Sequence, residues 1–230
     1  MPKKIRKIIK RILAAFLARG IEKIDIDQPY KYISFDVFDT MIFRTTLKPE
    51  DVFDIVQSKL EDCGKWRHQF RFRDIRQEAE KKARKNNSSG EVLLDAIYDE
   101  MQFLSDHEKK DLMQIEQETE YELCYPNPDM LKLYKDFLGQ KKKVVFCSDM
   151  YLPSDTIRKL LEKCGISDFE KLYVSGELGV NKRSGELFDF VLSDLGIDKK
   201  EILHIGDNPI GDYLTPKTRR ICAFLYKRKG

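Results

Sequence analysis

The sequence predicts an α/β protein: a doubly wound parallel sheet, interrupted just after its first strand by a helical subdomain. Three observations carry this prediction. Residues 32–43, YISFDVFDTMIF, begin as a short apolar run with β-branched and aromatic character and turn acidic at Asp36, as a buried strand does at its end. From Pro126 onward, short apolar strands alternate with amphipathic helices, a pattern that calls for parallel strands covered on both faces. Between these regions, residues 47–122 carry apolar residues at three- and four-residue spacing, many charges and no strand signal.

Taken in order, the chain begins with MPKKIRKIIKRILAAFLARG (1–20), which holds seven Lys/Arg and no acid. Ile5, Ile8, Ile9, Ile12 and Phe16 fall on one helical face opposite a basic one, and Gly20 is a plausible stop. Arg11 abuts an apolar stretch of only seven residues, too short for a secretory signal. Two readings stand: a helix lying on an anionic membrane surface or acidic partner, or one docked on its own domain or a second subunit.

After the first strand, DVFDIVQSKLED, FRFRDIRQEAEKKARK, EVLLDAIYDEM and DHEKKDLMQIEQETEYEL each read as helices, with NNSSG (86–90) between the second and third. PDMLKLYKDFLGQ, SDTIRKLLEKCG and KRSGELFDFVLSDLG follow as helices, interleaved with the strands KKVVFCS, KLYVSG, EILHIG and ICAFLY. The expected organisation is a basic helix and linker at 1–27, core at 28–46, helical insertion at 47–125, and core again at 126–230.

Composition narrows the function. A 230-residue chain supports one or two domains. A net charge of +3 gives no global case for nucleic-acid binding. Five widely spaced cysteines without a C-x-x-C fit reduced thiols in a cytoplasmic protein, not a disulfide scaffold or zinc site. No apolar run approaches the ~18 residues needed to span a bilayer.

Parallel strands deliver their carboxyl ends to one edge, where ligands bind. Asp36, Ser148, Lys182, Asp207 and Asp212 all follow strands and so are candidates for one site. Asp36 taken alone reads equally well as a turn former. Three carboxylates at one edge repel: two like charges about 4 Å apart cost roughly 4 kcal/mol at an effective dielectric of about 20. Such hard oxygen ligands suit Mg²⁺, which would relieve the repulsion and attract a phosphate. Lys182 adds positive charge for a carboxylate nucleophile or a phosphate, and Ser148 a hydroxyl donor.

With these residues in view, the chain resembles the haloacid dehalogenase (HAD) superfamily. Four motifs stand in the family's order: FDVFDT (35–40), the strand ending in Ser148, Lys182, and GDNPIGD (206–212). The match covers Tyr30–Phe43 and Pro126–Tyr226, and the insertion sits where the family carries a helical cap over a Rossmann-like core. SFDVFDT with SDMYLP (148–153) also resembles HAD hydrolases associated with bacterial capsular and surface-polysaccharide gene clusters. The resemblance implies a Mg²⁺-dependent phosphatase acting on a small phosphorylated metabolite, a sugar or polyol phosphate. It makes Asp36 the nucleophile and a metal ligand. Ser148 would bind the phosphoryl group with neighbouring Asp149 beside it, and Lys182 would steady Asp36 and the phosphate. Asp207, Asp212 and the backbone carbonyl of Phe38 would complete the metal set.

One departure matters. Family phosphatases carry a second Asp two residues after the nucleophile, as acid for the leaving group and base for water; here that position is Phe38. Asp39 stands one residue later, where Gly is usual, and in an extended strand would point away from Phe38's direction. Either Asp39 swings in, or substrate or water substitutes, or turnover is slow. Family dehalogenases also carry an aromatic at this position but need no metal, so the retained acids favour phosphoryl chemistry. A non-catalytic binding or docking module is the alternative from another class.

The remaining candidates have bland readings beside sharp ones. Asp149 is also a candidate helix N-cap shared with Ser154. His204 reads as a packed strand residue, and His68 has no visible partner. WRHQFRFRDIR (66–76) reads as a solvated, salt-bridged helix in which Arg76 pairs with Glu80, or as a source of one Arg (67, 71, 73 or 76) for an anionic substrate group. Arg44 is a comparable substrate-binding candidate. The expected location is cytoplasmic, with contact to the inner face of the membrane or a partner through residues 1–20 as the first of the two helix readings.

Overall fold

The computed structural model describes Ile24, residues 29–66 and residues 68–227; the basic segment 1–20 and Arg67 lie outside the described residues. Strand β1 (Tyr32–Phe35) leads through a tight turn into β2 (Ile42–Arg44). Helices α1 (Val52–Asp62), α2 (Phe72–Asn86), α3 (Leu94–Asp99) and α4 (Asp106–Leu123) follow, and β3 (Cys124–Pro126) returns the chain. Then come α5 (Pro128–Gly139), β4 (Lys143–Ser148), α6 (Ser154–Lys163), β5 (Lys171–Val174), α7 (Ser175–Leu178) and α8 (Glu186–Leu195). The chain ends with β6 (Ile202–Gly206), a π-helix at Pro209–Leu214, α9 (Thr215–Thr218) and β7 (Cys222–Leu225).

Five strands form one parallel sheet in the order β5-β4-β1-β6-β7. The chain winds outward from β1 through β4 to β5, then crosses to build β6 and β7 on the other side. The strand order therefore reverses beside β1, and the crevice beyond its carboxyl end is the ligand position of such sheets. Alternation along β4 shows why both faces are covered. Val144 and Phe146 join Ile33 and Phe35 under α5 (Met130, Leu133, Phe137) and α6 (Ile157, Leu160, Leu161). Val145 and Cys147 point the other way, to Tyr32, Tyr173 and α8 (Leu187, Phe188, Val191).

The four α-helices of the insertion form between β2 and β3, which pair antiparallel as a two-stranded neck. The helical pattern gave no sign of that neck, because three-residue strands are too short for a period to register. α4 begins with a capping box between Ser105 and Glu108. α3 is only six residues long, shorter than its apolar pattern, because Leu93 stays extended and Glu100 ends the helix.

The expected Arg76–Glu80 pair forms, but the solvated reading of residues 66–76 is overturned at Arg76. Arg76 is fully buried. Its Nε and Nη2 donate to the two carboxylate oxygens of Glu116, each at 2.9 Å, and Nη1 donates to Glu80 at 3.2 Å. Tyr98 donates to the same Glu116 at 2.8 Å. The guanidinium lies over the rings of Tyr151 and Phe53, 4.6 and 5.0 Å from their centroids. Arg73 pairs with Asp51 at 2.8 Å and with Asp54, and Arg71 with Asp54 at 3.3 Å. His68 does have partners: it meets Trp66 and Phe103 edge-on, with centroids 4.8 and 5.2 Å away.

All five cysteines are free. Among the described residues no helix is long and apolar enough to cross a membrane.

Removing one partner of a buried ion pair strands the other charge. Arg76→Met should therefore destabilise the protein by roughly 3–5 kcal/mol. Urea unfolding followed by circular dichroism measures this, and a loss below about 1 kcal/mol would contradict an anchoring role for Arg76.

Candidate active site

The site is built on the turn after β1. The Asp36 amide donates to the Ile205 carbonyl at 2.8 Å, which continues the β1–β6 ladder and fixes the acid at the strand's end. The chain then reverses: Met41 and Ile42 both donate to the Val37 carbonyl, at 2.9 and 3.0 Å. Asp39 takes φ +61°, the left-handed region that glycine favours and Asp tolerates. The expectation of an extended Asp39 is thus corrected: it sits in a turn, exposed, on the rim of the cavity. Asn127, where the chain re-enters the core, donates to the Thr40 carbonyl at 2.7 Å and holds the turn closed.

Four chain segments converge here. Lys182 Nζ lies 2.5 Å from Asp36 Oδ1 and 2.7 Å from Asp212 Oδ1. Thr40 donates to Asp36 Oδ2 at 3.0 Å and lies 3.4 Å from Asp207 Oδ1. Asp36, Asp207 and Asp212 each present an oxygen within 4.8 Å of the others. Asp212 reaches this place because the π-helix after β6 folds back over Gly206: a Cβ there would lie 2.4 Å from Asp212 Cγ. The Asn208 amide and His204 Nε2 hold Asp212 at 2.8 and 3.1 Å.

The electrostatics follow from three acids sharing one lysine. Burial, only partly offset by Lys182, and repulsion from Asp212 and Asp207 push Asp36 well above the usual carboxylate range. Burial and the neighbouring Asp212 and Asp39 push Asp207 up to about 7. For Asp212, Lys182 and the His204 hydrogen bond outweigh burial and hold it below the ordinary value. Burial opposes the charge on Lys182, but Asp212 and Asp36 outweigh it and its pKa is raised. Burial lowers His204, so the neutral imidazole donates from Nε2 to Asp212, while Nδ1 lies 2.9 Å from Ser34 Oγ. One lysine does not balance three carboxylates, and a donor set made wholly of hard oxygens fits a divalent cation such as Mg²⁺.

A cavity of about 420 Å³ opens from this cluster toward the helical insertion. Ser148, buried at the end of β4, lines it, as do Phe38, Asp39, Arg44, Asp149 and Lys182. Arg44 is not a free cation. Its Nε and Nη2 donate to Glu120 at 2.7 and 3.1 Å, and its guanidinium lies 4.3 Å from the centroid of the Phe38 ring. Burial works against its charge, but Glu120 outweighs it and keeps the guanidinium protonated.

Asp149 is not an N-cap. It accepts from the Lys182 amide at 2.9 and 3.2 Å, while the Ser154 amide donates to Glu177 at 2.7 Å. Its reach sets the backbone from which Lys182 extends. A second tie comes from the insertion: Glu91 accepts from Ser175 Oγ at 2.7 Å and from Asn181 Nδ2 at 3.0 Å. Gly176 lets this strap lie close, since a Cβ there would stand 2.6 Å from the Val92 carbonyl oxygen.

The residues picked for the site from the sequence thus border one cavity, whereas Arg71, Arg73 and Arg76 do not. Sequence reasoning missed Thr40, Glu120, Asn127 and Glu91, and gave His204 no role. Thr40 and His204 carried a signal, since Thr40 closes the FDVFDT motif and His204 lies on the strand that leads into GDNPIGD; Glu91 and Glu120 lie far from the motifs and carried none.

A family model described as haloacid dehalogenase-like hydrolase matches residues 30–217. Pyrimidine 5'-nucleotidase YjjG of Escherichia coli K12 is 30% identical over 95 residues, covering 40% of this chain and 41% of that protein. The chain spans less than half the length of the curated relatives it matches. Among solved structures, a 2-haloacid dehalogenase from Pseudomonas syringae superposes with a TM-score of 0.62 at 16% identity, over 84% of each chain. YfnB, a HAD-hydrolase of Bacillus subtilis solved with magnesium bound, gives 0.56 at 17% identity, over 84% of this chain and 87% of that one. At such identities these structures speak for the fold.

Glu91→Ala should loosen the segment that carries Lys182. Amides of residues 176–184 should exchange roughly 10-fold faster with deuterium, the effect of losing a charge-assisted tie. Unchanged exchange in that segment would mean the strap is not what holds it.

Proposed function

The chain belongs to the haloacid dehalogenase-like hydrolase family, and on that premise we propose that it is a Mg²⁺-dependent phosphatase of a small phosphorylated metabolite. The observation that carries this reading is the buried cluster in which Lys182 bridges Asp36 and Asp212 while Asp207 stands beside them. Dehalogenase-type hydrolysis needs no metal, so it does not by itself call for a cluster of three acids. A purely binding module has no need to keep a carboxylate poised against a buried lysine.

Asp36 serves as the nucleophile. Lys182 holds Oδ1 and Thr40 holds Oδ2, so the carboxylate meets phosphorus in a fixed orientation. Attack forms an acyl-phosphate bond on Asp36 and breaks the ester bond to the leaving alcohol; water then releases phosphate. Ser148 donates to a phosphoryl oxygen, and Lys182 offsets charge that builds on the equatorial oxygens. Asp36, Asp207, Asp212 and the Phe38 backbone carbonyl would hold Mg²⁺, which would supply further neutralisation of the phosphate. Asp39 takes the acid–base role that Phe38 cannot. Its turn position on the cavity rim, beside Asp207, supports that assignment. The resemblance of SFDVFDT and SDMYLP to surface-polysaccharide hydrolases supports a sugar or polyol phosphate as substrate.

Phosphate release should be measured across sugar and polyol phosphates with Mg²⁺ and with EDTA. Release should require Mg²⁺, and Asp36→Asn should lower it by at least about 10³-fold, as loss of a nucleophile does. Undiminished release by the variant would overturn the assignment. Asp39→Asn should lower kcat by about 10²–10⁴-fold, the usual cost of losing an acid–base group. An unchanged kcat would pass that role to substrate or water.

A further inference from the structure

Beyond the carboxylates, the cavity is walled by Arg44, Glu50, Gln77, Glu80 and Glu120. Their charges are nearly all committed. Arg44 and Glu120 form a bidentate pair at 2.7 and 3.1 Å, net neutral. Glu80 is held by Arg76 at 3.2 Å and Arg84 at 2.9 Å, and neither arginine lines the cavity. The side chains of Glu50 and Gln77 form no hydrogen bond or ion pair among the described residues, and both border the cavity. Of these five wall residues, Glu50 and Gln77 alone have side chains without a hydrogen-bond partner among the described residues, and neither is a cation. Among the described arginines that the sequence put forward for an anionic group, Arg76, Arg44, Arg73 and Arg71 are tied to Glu116, Glu120, Asp51 and Asp54 respectively.

A second anionic group on a bound phosphomonoester would face Glu50, whose neighbouring cation Arg73 is already shared with Asp51 and Asp54. Hydroxyls would find an acceptor in Glu50 and both a donor and an acceptor in Gln77. Resting on the phosphatase reading above, we propose that the leaving alcohol is an uncharged polyhydroxy alcohol, and that Glu50 and Gln77 determine this specificity. Phosphorylated carboxylates and bisphosphates are rejected by charge, although their phosphate would fit the cluster. This is selection by an unfavourable contact as much as by a favourable one.

The test uses matched pairs: glycerol 3-phosphate with 3-phosphoglycerate, and glucose 6-phosphate with 6-phosphogluconate, at saturating Mg²⁺. The polyol of a pair should exceed its acid in kcat/KM on the order of 10²-fold, as like-charge juxtaposition costs several kcal/mol. Glu50→Gln should shrink that ratio about 10-fold, and Glu50→Asp should restore most of it. p-Nitrophenyl phosphate separates the two readings. Asp36-dependent release from it, with the acids turned over as well as the polyols or with neither polyol turned over, overturns this specificity and leaves the phosphatase standing. A ratio unmoved by Glu50→Gln removes Glu50 as its cause and overturns the assignment. Release from no compound, p-nitrophenyl phosphate included, overturns the phosphatase itself.

Discussion

The buried bridge from Lys182 to Asp36 and Asp212 is the contact on which the rest of the site depends. Three carboxylates gathered at the end of β1 are mutually repulsive, and burial makes each more costly to ionise. A single lysine, also buried, is stable there only as a cation whose partners are fixed. Much of the surrounding structure does that fixing. Asp149 takes the lysine's backbone amide, and Glu91 secures Asn181 beside it. His204 and the Asn208 amide orient Asp212, and Thr40 orients Asp36. Gly206 leaves room for Asp212 where any side chain would collide.

The same constraint governs the insertion, where charge is handled differently. Its most deeply buried ionisable groups pair off: Arg76 with Glu116, Arg44 with Glu120, and Tyr98 with Glu116. These pairs leave no net charge to attract or repel, so they act as geometry. Arg76 joins α2 to α4 and lies over Tyr151, which belongs to the core. Arg44 joins β2 to α4. The insertion is thus held to the sheet by contacts satisfied within the protein, while the core cluster keeps a surplus of negative charge. The unsatisfied charge sits where chemistry is proposed and the satisfied charge where shape is needed.

Much of this was legible in the sequence. The first strand, the long helix at 106–123 and the alternation after Pro126 appear where their periodicities put them. The residues expected at the sheet edge converge because parallel strands share an edge, a property of topology that a pattern can reveal. Periodicity does not report which face of a helix finds a partner. The arginines of residues 66–76 therefore read as solvated, although Arg76 has none of its surface exposed. Nor does it report ties across distant segments: Glu91 lies 84 residues from Ser175, and Glu120 lies 76 from Arg44. Asp149 looked like a cap because it precedes a helix. Its real partner, the Lys182 amide, is 33 residues away.

Phe38 shows how a departure from the family pattern is absorbed. An acid at this position would stand beside Asp36 and add a further negative charge to a cluster already short of cations. The phenyl ring instead lies against the Arg44 guanidinium, which Glu120 holds through Nε and Nη2. An aromatic ring and a neutral ion pair thus stand where the further acid would be. The next residue, Asp39, takes up the left-handed turn where glycine is the usual choice, and carries its carboxylate to the exposed rim. At this exposed position solvent lowers the cost of the Asp39 charge, while Phe38 with the Arg44–Glu120 pair adds no net charge to the cavity wall.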